Sequence, residues 1–336
     1  MSSITNIISF PGLGIGEFKV NNVAFSVFGL DIAWYGIIIT AGMIAAFLYA
    51  SWRAVKFEGQ KFDDMLDYAI YCIIFGVIGA RAYYIIMDDS HYTIKQMFAL
   101  RDGGLAIYGG IIAGALTALV VTKIKKLKFS KIADAIAPGV ILAQSIGRWG
   151  NFMNGEAYGS FTDLPWRMGF TLPYGTIYVH PTFLYESLWN LLGFVLINIY
   201  YKKKKFNGEI ALMCMTWYGL GRMFIEGLRT DSLYIGSIRV SQLVAFLSFI
   251  SGLIIIISLR SYVKKHSDSR LSITVGASNA SASETDIPDR ENNSSDDRKA
   301  DVTENSIGDV CENSKTSGTE YKENDSKDGK DVCDNE

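Results

Sequence analysis

One short stretch of the chain, residues 147–159, sets an arginine, two asparagines and a glutamate among four glycines. It ends an apolar run that begins near residue 135, where a helix would be leaving a bilayer. Polar groups at that depth are costly unless they meet partners or a ligand. A guanidinium offers a planar fork of donors that fits phosphate oxygens. The stretch therefore indicates a phospholipid headgroup site, with polar groups from Arg148, Asn151, Asn154 and Glu156.

Other charged side chains also lie in apolar runs. Arg222, Glu226 and Arg229 are spaced i, i+4 and i+7, which places them on one face of a helix. We expect Arg222 and Glu226 to neutralise each other, because an unpaired charge inside a membrane is costly. Arg148 has no acid at helical spacing, so its partner is either a ligand anion or a carboxylate distant in sequence. Arg81 is a further charge in such a run.

Metal and thiol chemistry lack their usual sequence patterns. The chain has four cysteines and three histidines, with no His-Glu-x-x-His and no Cys-x-x-Cys. A Gly-x-Ser-x-Gly elbow is also absent from the sequence. We therefore expect no bound metal and no cofactor, and we attribute the chemistry to arginines.

The elements that must position these residues are apolar runs of membrane-spanning length. A helix needs about 20 residues to cross roughly 30 Å of hydrocarbon, and residues 32–51 are twenty residues without a charge. Gly114, in the third run, is interpreted as a close helix contact. The expected fold class is an all-α polytopic membrane protein with seven transmembrane helices. The six further spans are predicted at about 68–87, 103–122, 135–153, 181–201, 210–228 and 240–259.

The basic residues predict the orientation. Fifteen lysines and arginines follow spans one, three, five and seven, and fewer lie in the opposite loops. Loops rich in lysine and arginine stay on the cytoplasmic side. We expect the N-terminus outside and the C-terminus in the cytoplasm, which places residues 147–159, Tyr35, Arg101–Tyr108, His180 and Arg229 at the outer face.

The two parts of the chain differ in charge. Residues 1–265 carry 24 basic and 16 acidic side chains, a net charge of +8, whereas residues 266–336 carry 8 and 18, a net charge of −10. The second part has almost no large apolar residue, so it cannot bury enough surface to order itself. We expect a membrane domain at 1–265 and a disordered acidic cytoplasmic tail at 266–336.

The sequence at 147–159, Gly-Arg-Trp-Gly-Asn-Phe-Met-Asn-Gly-Glu-x-x-Gly, resembles the signature of the bacterial prolipoprotein diacylglyceryl transferases. The resemblance extends over roughly residues 10–262 and leaves the acidic tail outside. Other stretches look like family blocks in the right order. They are Trp34-Tyr35-Gly36, Gly79-Ala80-Arg81, Asp102-Gly103-Gly104, His180-Pro181-Thr182-x-Leu184-Tyr185-Glu186 and Arg222-x-x-x-Glu226-x-x-Arg229.

The resemblance implies a reaction at the outer leaflet of the bacterial cytoplasmic membrane, carried out by a multi-pass enzyme. The diacylglyceryl group of phosphatidylglycerol would pass to the cysteine thiol of a lipobox, forming a thioether and releasing glycerol phosphate. The implied partners are phosphatidylglycerol, the lipobox-containing signal peptides of prolipoproteins and the lipid bilayer, and no nucleic acid.

Residue roles follow from that implied reaction. Preorganised cations stabilise a departing phosphate, and we assign Arg148 first and Arg229 second to this role. Asn151, Asn154 and the glycine backbone would donate further hydrogen bonds. The remaining candidates for substrate binding are Glu156, Gly159, Gly104, His180 and Arg81.

At the position where many members of the family have a histidine that could act as general base, this chain has a different residue. Many members have His-Gly-Gly after the Asp-Gly-Gly turn, where this chain has Tyr108-Gly109-Gly110. A tyrosine with a pKa of about 10 is poorly matched to accepting a proton near neutrality. Three interpretations remain. Tyr108 is a base activated by arginines, or it is a hydrogen-bond donor that orients a partner, or the cationic site itself acidifies the thiol. We favour the orienting role. Tyr35 either anchors span one in the aromatic belt or belongs to the catalytic site.

Two further residues have ordinary structural interpretations. His180 precedes Pro181, which is typical of a helix start. Glu186 lies deeper, and because a buried carboxylate is usually paired, we expect an arginine beside it. A transporter or a structural scaffold would also use intramembrane charges, but the sequence shows no internal repeat that favours transport.

Overall fold

A computed structural model of the 336-residue chain describes residues 5–88, 92–93, 97, 103–230, 234–236 and 238–266. Asp102 and the acidic segment 267–336, which is predicted from sequence to be a disordered tail, lie outside the described residues.

Long helices dominate the described part of the chain, as the sequence predicts. Seven of them have 18 residues or more, and each overlaps one of the seven apolar runs. They are α1 (Trp34–Glu58), α2 (Phe62–Met87), α3 (Ile107–Ile124), α4 (Phe129–Asn154), α5 (Thr182–Tyr200), α6 (Glu209–Glu226) and α7 (Val240–Lys265).

The helices differ in how well they suit a membrane. Five of those described, α1, α2, α3, α5 and α7, are long and apolar enough to cross one. The other two, α4 and α6, carry Arg148, Arg222 and several more polar side chains, which lower their hydropathy. The chain therefore has the helices of a polytopic membrane protein, while the count of seven spans stays a prediction.

A four-stranded antiparallel sheet makes the all-α expectation incomplete. Its order is β2-β1-β5-β6, so the N-terminal hairpin pairs with a hairpin that lies between α4 and α5. Ile8, Phe170 and Val179 point inward from this sheet and pack against Phe183 of α5. Such strands are too short to show among long apolar runs. The four strands are β1 (Thr5–Phe10), β2 (Ile15–Asn21), β5 (Met168–Leu172) and β6 (Gly175–Val179).

Two smaller hairpins precede helices. Strands β3 (Val23–Val27) and β4 (Leu30–Ala33) pair with each other and lead directly into α1. Strands β7 (Tyr234–Ile235) and β8 (Ile238–Arg239) pair in the same way before α7.

Glycines allow α2 and α3 to approach closely. A Cβ atom added at Gly79 would lie 2.2 Å from the Cβ of Ala113, and one added at Gly109 would lie 2.3 Å from the carbonyl oxygen of Gly79. The helices also meet at Gly114, as predicted, because its carbonyl oxygen accepts a hydrogen bond from Cys72 Sγ of α2 at 3.7 Å. A Cβ atom at Gly114 would meet nothing within 4 Å among the described residues, so this contact does not require a glycine.

The bundle has two ends with different chemistry. At the sheet end, α1, α3, α5 and α7 begin and α2, α4 and α6 end, and the β5–β6 hairpin of the four-stranded sheet connects α4 to α5. At the opposite, lysine end lie the basic residues in the last turns of α1, α3 and α7 and in the segments that follow α1, α3 and α5. The residues of the 147–159 stretch are at the sheet end.

Candidate active site

Arg148 lies in the last two turns of α4 and has a carboxylate partner on another helix. Its Nη2 atom is 2.6 Å from Oε1 of Glu186 on α5, and its Nη1 atom donates to Oδ1 of Asn151 at 3.1 Å. Of the two partners left open by the sequence, the distant carboxylate is therefore present. Helical spacing could not reveal it, because the packing of α4 on α5 brings together residues 38 positions apart.

Glu186 joins two arginines, as expected for a buried carboxylate. Its side chain is only 4% exposed, and its second oxygen, Oε2, is 2.9 Å from Nη1 of Arg222. Arg222 in turn places Nη2 2.6 Å from Oε2 of Glu226, which confirms the pair predicted from the i, i+4 spacing. These four side chains alternate in sign, and we call Arg148, Glu186, Arg222 and Glu226 the arginine–glutamate chain.

The end of α4 extends this chain toward the surface. The helix stops at Gly155, whose φ of 68° is the left-handed conformation that glycine adopts without strain. The turn carries Glu156 back to the helix, where its Oε1 atom accepts from Asn151 Nδ2 at 2.9 Å and from Asn154 Nδ2 at 3.4 Å. In this structure the two asparagine amides thus donate to Glu156.

Tyr35 lies beside this region. Its ring packs on Gly150, two residues after Arg148, and a Cβ atom at Gly150 would be 3.0 Å from Cδ2 of Tyr35. The absence of a side chain at Gly150 therefore allows the first turn of α1 to contact the last turns of α4.

Backbone pairing brings Gly159, His180 and Arg229 together. The Gly159 N–H donates to the His180 carbonyl at 3.0 Å, and Gly159 forms an antiparallel bridge with Arg229. A Cβ atom at Gly159 would lie 2.7 Å from the Cβ of His180 and 3.1 Å from the carbonyl oxygen of Leu228. Glycine is thus needed here for close approach, and the segment after α6 is fixed to the end of the 147–159 stretch.

His180 is held by residues that the sequence interpretation did not assign to the site. Its Nδ1 atom is 3.2 Å from the hydroxyl of Tyr185, which also accepts a hydrogen bond from Trp166 Nε1 at 2.7 Å. Partial burial lowers the pKa of the His180 imidazole, so the neutral form is favoured. No spacing rule relates Trp166 to Tyr185, because their contact depends on how the loop before β5 folds.

Arg81 and Gly104 form a separate arrangement before α3. Arg81 is 7% exposed; its Nη1 atom donates to the carbonyls of Gly103 at 2.7 Å and Gly104 at 3.0 Å, and its Nε atom donates to Met97 at 3.1 Å. A Cβ atom at Gly104 would lie 2.4 Å from Arg81 Nη1. These contacts make Arg81 a support for the loop that leads into α3.

Tyr108, in the first turn of α3, contacts α7. Its hydroxyl is 3.4 Å from the Oγ atom of Ser241. Among the hydrogen bonds of the described residues, none joins Tyr108 to the arginine–glutamate chain. The structure therefore brings Arg148, Asn151, Asn154 and Glu156 into one network, with Tyr35 packed beside them. It holds Gly159, His180 and Arg229 together by backbone contacts, and it places Arg81 with Gly104 in the loop before α3 and Tyr108 against α7.

Comparison with known proteins identifies the family of this chain. The model of the family described as prolipoprotein diacylglyceryl transferase matches residues 22–258. The chain belongs to this family. The match spans α1 to α6 and most of α7, and therefore includes every residue of the arginine–glutamate chain.

Individual members of the diacylglyceryl transferase family are similar over nearly their whole length. A phosphatidylglycerol–prolipoprotein diacylglyceryl transferase of Finegoldia magna is 47% identical over 249 residues, covering 73% of this chain and 98% of the relative. One from Clostridioides difficile is 46% identical over 237 residues, covering 70% and 94%. A relative from Clostridium perfringens, named as transferase 1, is 43% identical over 255 residues, covering 73% and 97%.

Proposed function

We propose that this chain transfers the diacylglyceryl group of phosphatidylglycerol to the lipobox cysteine of prolipoproteins, the first step of lipoprotein maturation. The observation that supports it most directly is the family match over residues 22–258, together with the names of relatives at 41–47% identity. In the reaction, a carbon–sulfur bond forms at the glycerol carbon and the bond from that carbon to the phosphate oxygen breaks. The electron pair leaves with glycerol phosphate, and the thiol proton passes to a base.

Arg148 is suited to bind the phosphate and to stabilise the departing glycerol phosphate. Its described contacts use one N–H of each Nη atom, and a guanidinium has five N–H donors. At 19% exposure its side chain is reachable, while Glu186 holds it in place from the buried side. Donors fixed in advance where charge develops cost no reorganisation during the reaction.

Arg229 is proposed as the second cation of this site. Its backbone is fixed to Gly159, at the end of the same stretch that carries Arg148. Asn151, Asn154 and Glu156 are proposed to contact the headgroup. Because Glu156 accepts from both amides, a headgroup hydroxyl could replace one of those hydrogen bonds without leaving the carboxylate unpaired.

Tyr108 is proposed to orient a reacting group. Its hydroxyl faces the hydroxyl of Ser241, and a neighbouring alcohol does not make a phenol a better base near neutrality. The loss of the thiol proton would then be favoured by the cationic site, because nearby positive charge lowers the pKa of a thiol.

The proposed placement is a seven-span protein of the bacterial cytoplasmic membrane, with its N-terminus outside and residues 266–336 as a disordered cytoplasmic tail. The collection of basic residues at the lysine end supports it, since such residues mark the cytoplasmic side. A reporter that is active only outside should work when fused after Gly159 and fail when fused after Lys205. The reverse pattern would contradict the proposed orientation.

The reaction itself is tested with the purified full-length chain in nanodiscs. Phosphatidylglycerol and a lipobox peptide should yield a thioether-linked diacylglyceryl peptide, identified by mass, and free glycerol phosphate in equal amount. A peptide with serine in place of the lipobox cysteine and nanodiscs of phosphatidylcholine alone are the controls. Absence of the thioether product from folded protein would refute the proposal.

A further inference from the structure

The β3–β4 hairpin, residues 23–33, has one apolar and one polar face. Its register pairs Val27 with Leu30 and Phe25 with Ile32, and paired residues share a face, so these four side chains lie together. The opposite face carries Ser26 and Asp31, which are joined by a hydrogen bond from the serine Oγ to the aspartate Oδ1 at 2.5 Å.

The apolar face of the hairpin is open among the described residues. Phe25 is 51% exposed, Val27 40% and Leu30 50%. An apolar face of this kind on a folded protein marks contact with another apolar phase or with a partner.

The tip of the hairpin carries an unusual residue for its conformation. The two turn residues, Phe28 and Gly29, have φ angles of 51° and 74°. Turns with two positive φ angles favour Asn-Gly or Asp-Gly, and a bulky residue at positive φ is an outlier. The Phe28 side chain is 100% exposed, so no contact with the rest of the described protein offsets this cost.

The hairpin continues the apolar surface of α1. Its last residue, Ala33, immediately precedes Trp34, and the Trp34 N–H donates to the Asn22 carbonyl at 2.9 Å. Few residues of α1 are buried, and the helix is long and apolar enough to cross a membrane, as expected of a helix that faces lipid. Trp34 itself is 39% exposed at the level where tryptophan is enriched beside membranes.

We propose that the β3–β4 hairpin lies in the interface of the bilayer at the sheet end, with Phe28 and Leu30 among the lipid acyl chains. The apolar face of the hairpin therefore contacts lipid, because this face is continuous with a helix whose own exposed surface is apolar. The hairpin then fixes the depth of Trp34 and Tyr35 and hence of the neighbouring candidate site. This inference rests on the membrane placement in the proposed function and not on the transfer reaction.

The test measures probe depth in the full-length protein in phosphatidylglycerol-containing nanodiscs. The four native cysteines are replaced by alanine, and one cysteine carrying an environment-sensitive fluorophore is introduced by Phe28→Cys or Leu30→Cys. Spin-labelled lipid with the label near the ester carbonyls should quench both probes strongly, and aqueous iodide should quench them weakly. Helix content and a single species on size exclusion establish folding without any need for turnover.

Two control positions are used, one on the polar face of the same hairpin and one on a different hairpin. Ser26→Cys lies on the polar face of the same hairpin, and Tyr174→Cys lies at the β5–β6 turn, where Tyr174 is 83% exposed. Both probes should be quenched by iodide at least several-fold more than the Phe28 probe. Equal iodide quenching at Phe28, Leu30 and Tyr174 would overturn the proposal. Protection of the Phe28 probe from iodide that appears only with added lipobox peptide would overturn the proposal in favour of a polypeptide partner. Protection that appears only at high protein density would overturn it in favour of a second copy of the chain.

Discussion

The two ends of the helical bundle each bury charged side chains, and at the lysine end one such set, Glu58, Asp134 and Lys204, is closed. There, Lys204 pairs with Glu58 and, at 3.0 Å, with Asp134. Asp134 also accepts the backbone N–H groups of Gly208 and Ala211, at 2.8 and 3.0 Å, at the start of α6. The side chains of Glu58 and Asp134 are 2% and 0% exposed, and both carboxylates face the ammonium of Lys204. This trio has no capacity for an anion.

At the sheet end, the same kinds of residue form a chain that leads outward. The two carboxylates, Glu226 and Glu186, are 2% and 4% exposed, and the arginines are more exposed, Arg222 at 15% and Arg148 at 19%. The last member is a cation whose hydrogen bonds within the described part of the chain use two of its five N–H groups, and beyond it Glu156 is exposed. Residue type alone therefore does not distinguish a structural cluster from a candidate site. The distinction is whether the outermost group is satisfied within the protein.

The largest expected effect is at Arg148. Arg148→Lys keeps the charge and loses the planar fork, so we expect turnover to fall about a hundredfold to a thousandfold, or ~3–4 kcal/mol, and Arg148→Ala to be at least as impaired. Turnover and phosphatidylglycerol affinity are measured on protein shown to be folded and inserted.

The matched control for this substitution is at the other end. Arg260 pairs with Glu209 at 2.5 Å and is 43% exposed, so Arg260→Lys should leave turnover close to that of the parent. Near-normal turnover in Arg148→Lys would remove Arg148 from the site, and equal losses in both variants would remove the contrast between the two ends.

Neutralising one buried carboxylate at each end should separate activity from stability. Glu186→Gln leaves both Arg148 and Arg222 without their shared anion, so we expect turnover per folded molecule to fall about tenfold to a hundredfold through misplacement of Arg148. Asp134→Asn should instead lower the free energy of unfolding by about 3 kcal/mol while leaving turnover per folded molecule unchanged.

Thermal unfolding in detergent and turnover normalised to folded protein are measured for both variants. The comparison fails if Asp134→Asn loses activity without losing stability, or if Glu186→Gln is destabilised but fully active.

A smaller effect is expected at Tyr108. If its hydroxyl orients a partner, Tyr108→Phe should lower turnover roughly fivefold, the equivalent of about 1 kcal/mol for one hydrogen bond. Tyr108→His should retain or increase activity. A loss of a hundredfold or more in Tyr108→Phe that histidine does not restore would instead indicate a role in proton transfer.

The smallest effect is expected from removing the acidic segment. Truncation after His266 should leave thioether formation at the parental rate, because α7, after which the segment begins, ends at the lysine end, whereas the candidate site is at the sheet end. The rate is compared at equal amounts of folded, inserted protein. A clear loss of rate in the truncated protein would show that the segment contributes to activity.

The sequence by itself determined where the long helices lie and which family the residues resemble. Apolar runs of about 20 residues predict helices directly, because a segment that crosses a bilayer must satisfy its backbone hydrogen bonds within itself. Local spacing was also sufficient for the Arg222–Glu226 pair, since residues four apart are neighbours on any helix.

Only the tertiary structure decided which distant residues meet. The Arg148–Glu186 contact depends on how α4 packs on α5, and the pairing of β1 with β5 joins strands about 160 residues apart. The closed trio of Glu58, Asp134 and Lys204 likewise draws on three separate parts of the chain. Sequence patterns encode faces and periodicity, whereas the free energy of a buried charge depends on its neighbours in space, and these exist only once the helices have packed.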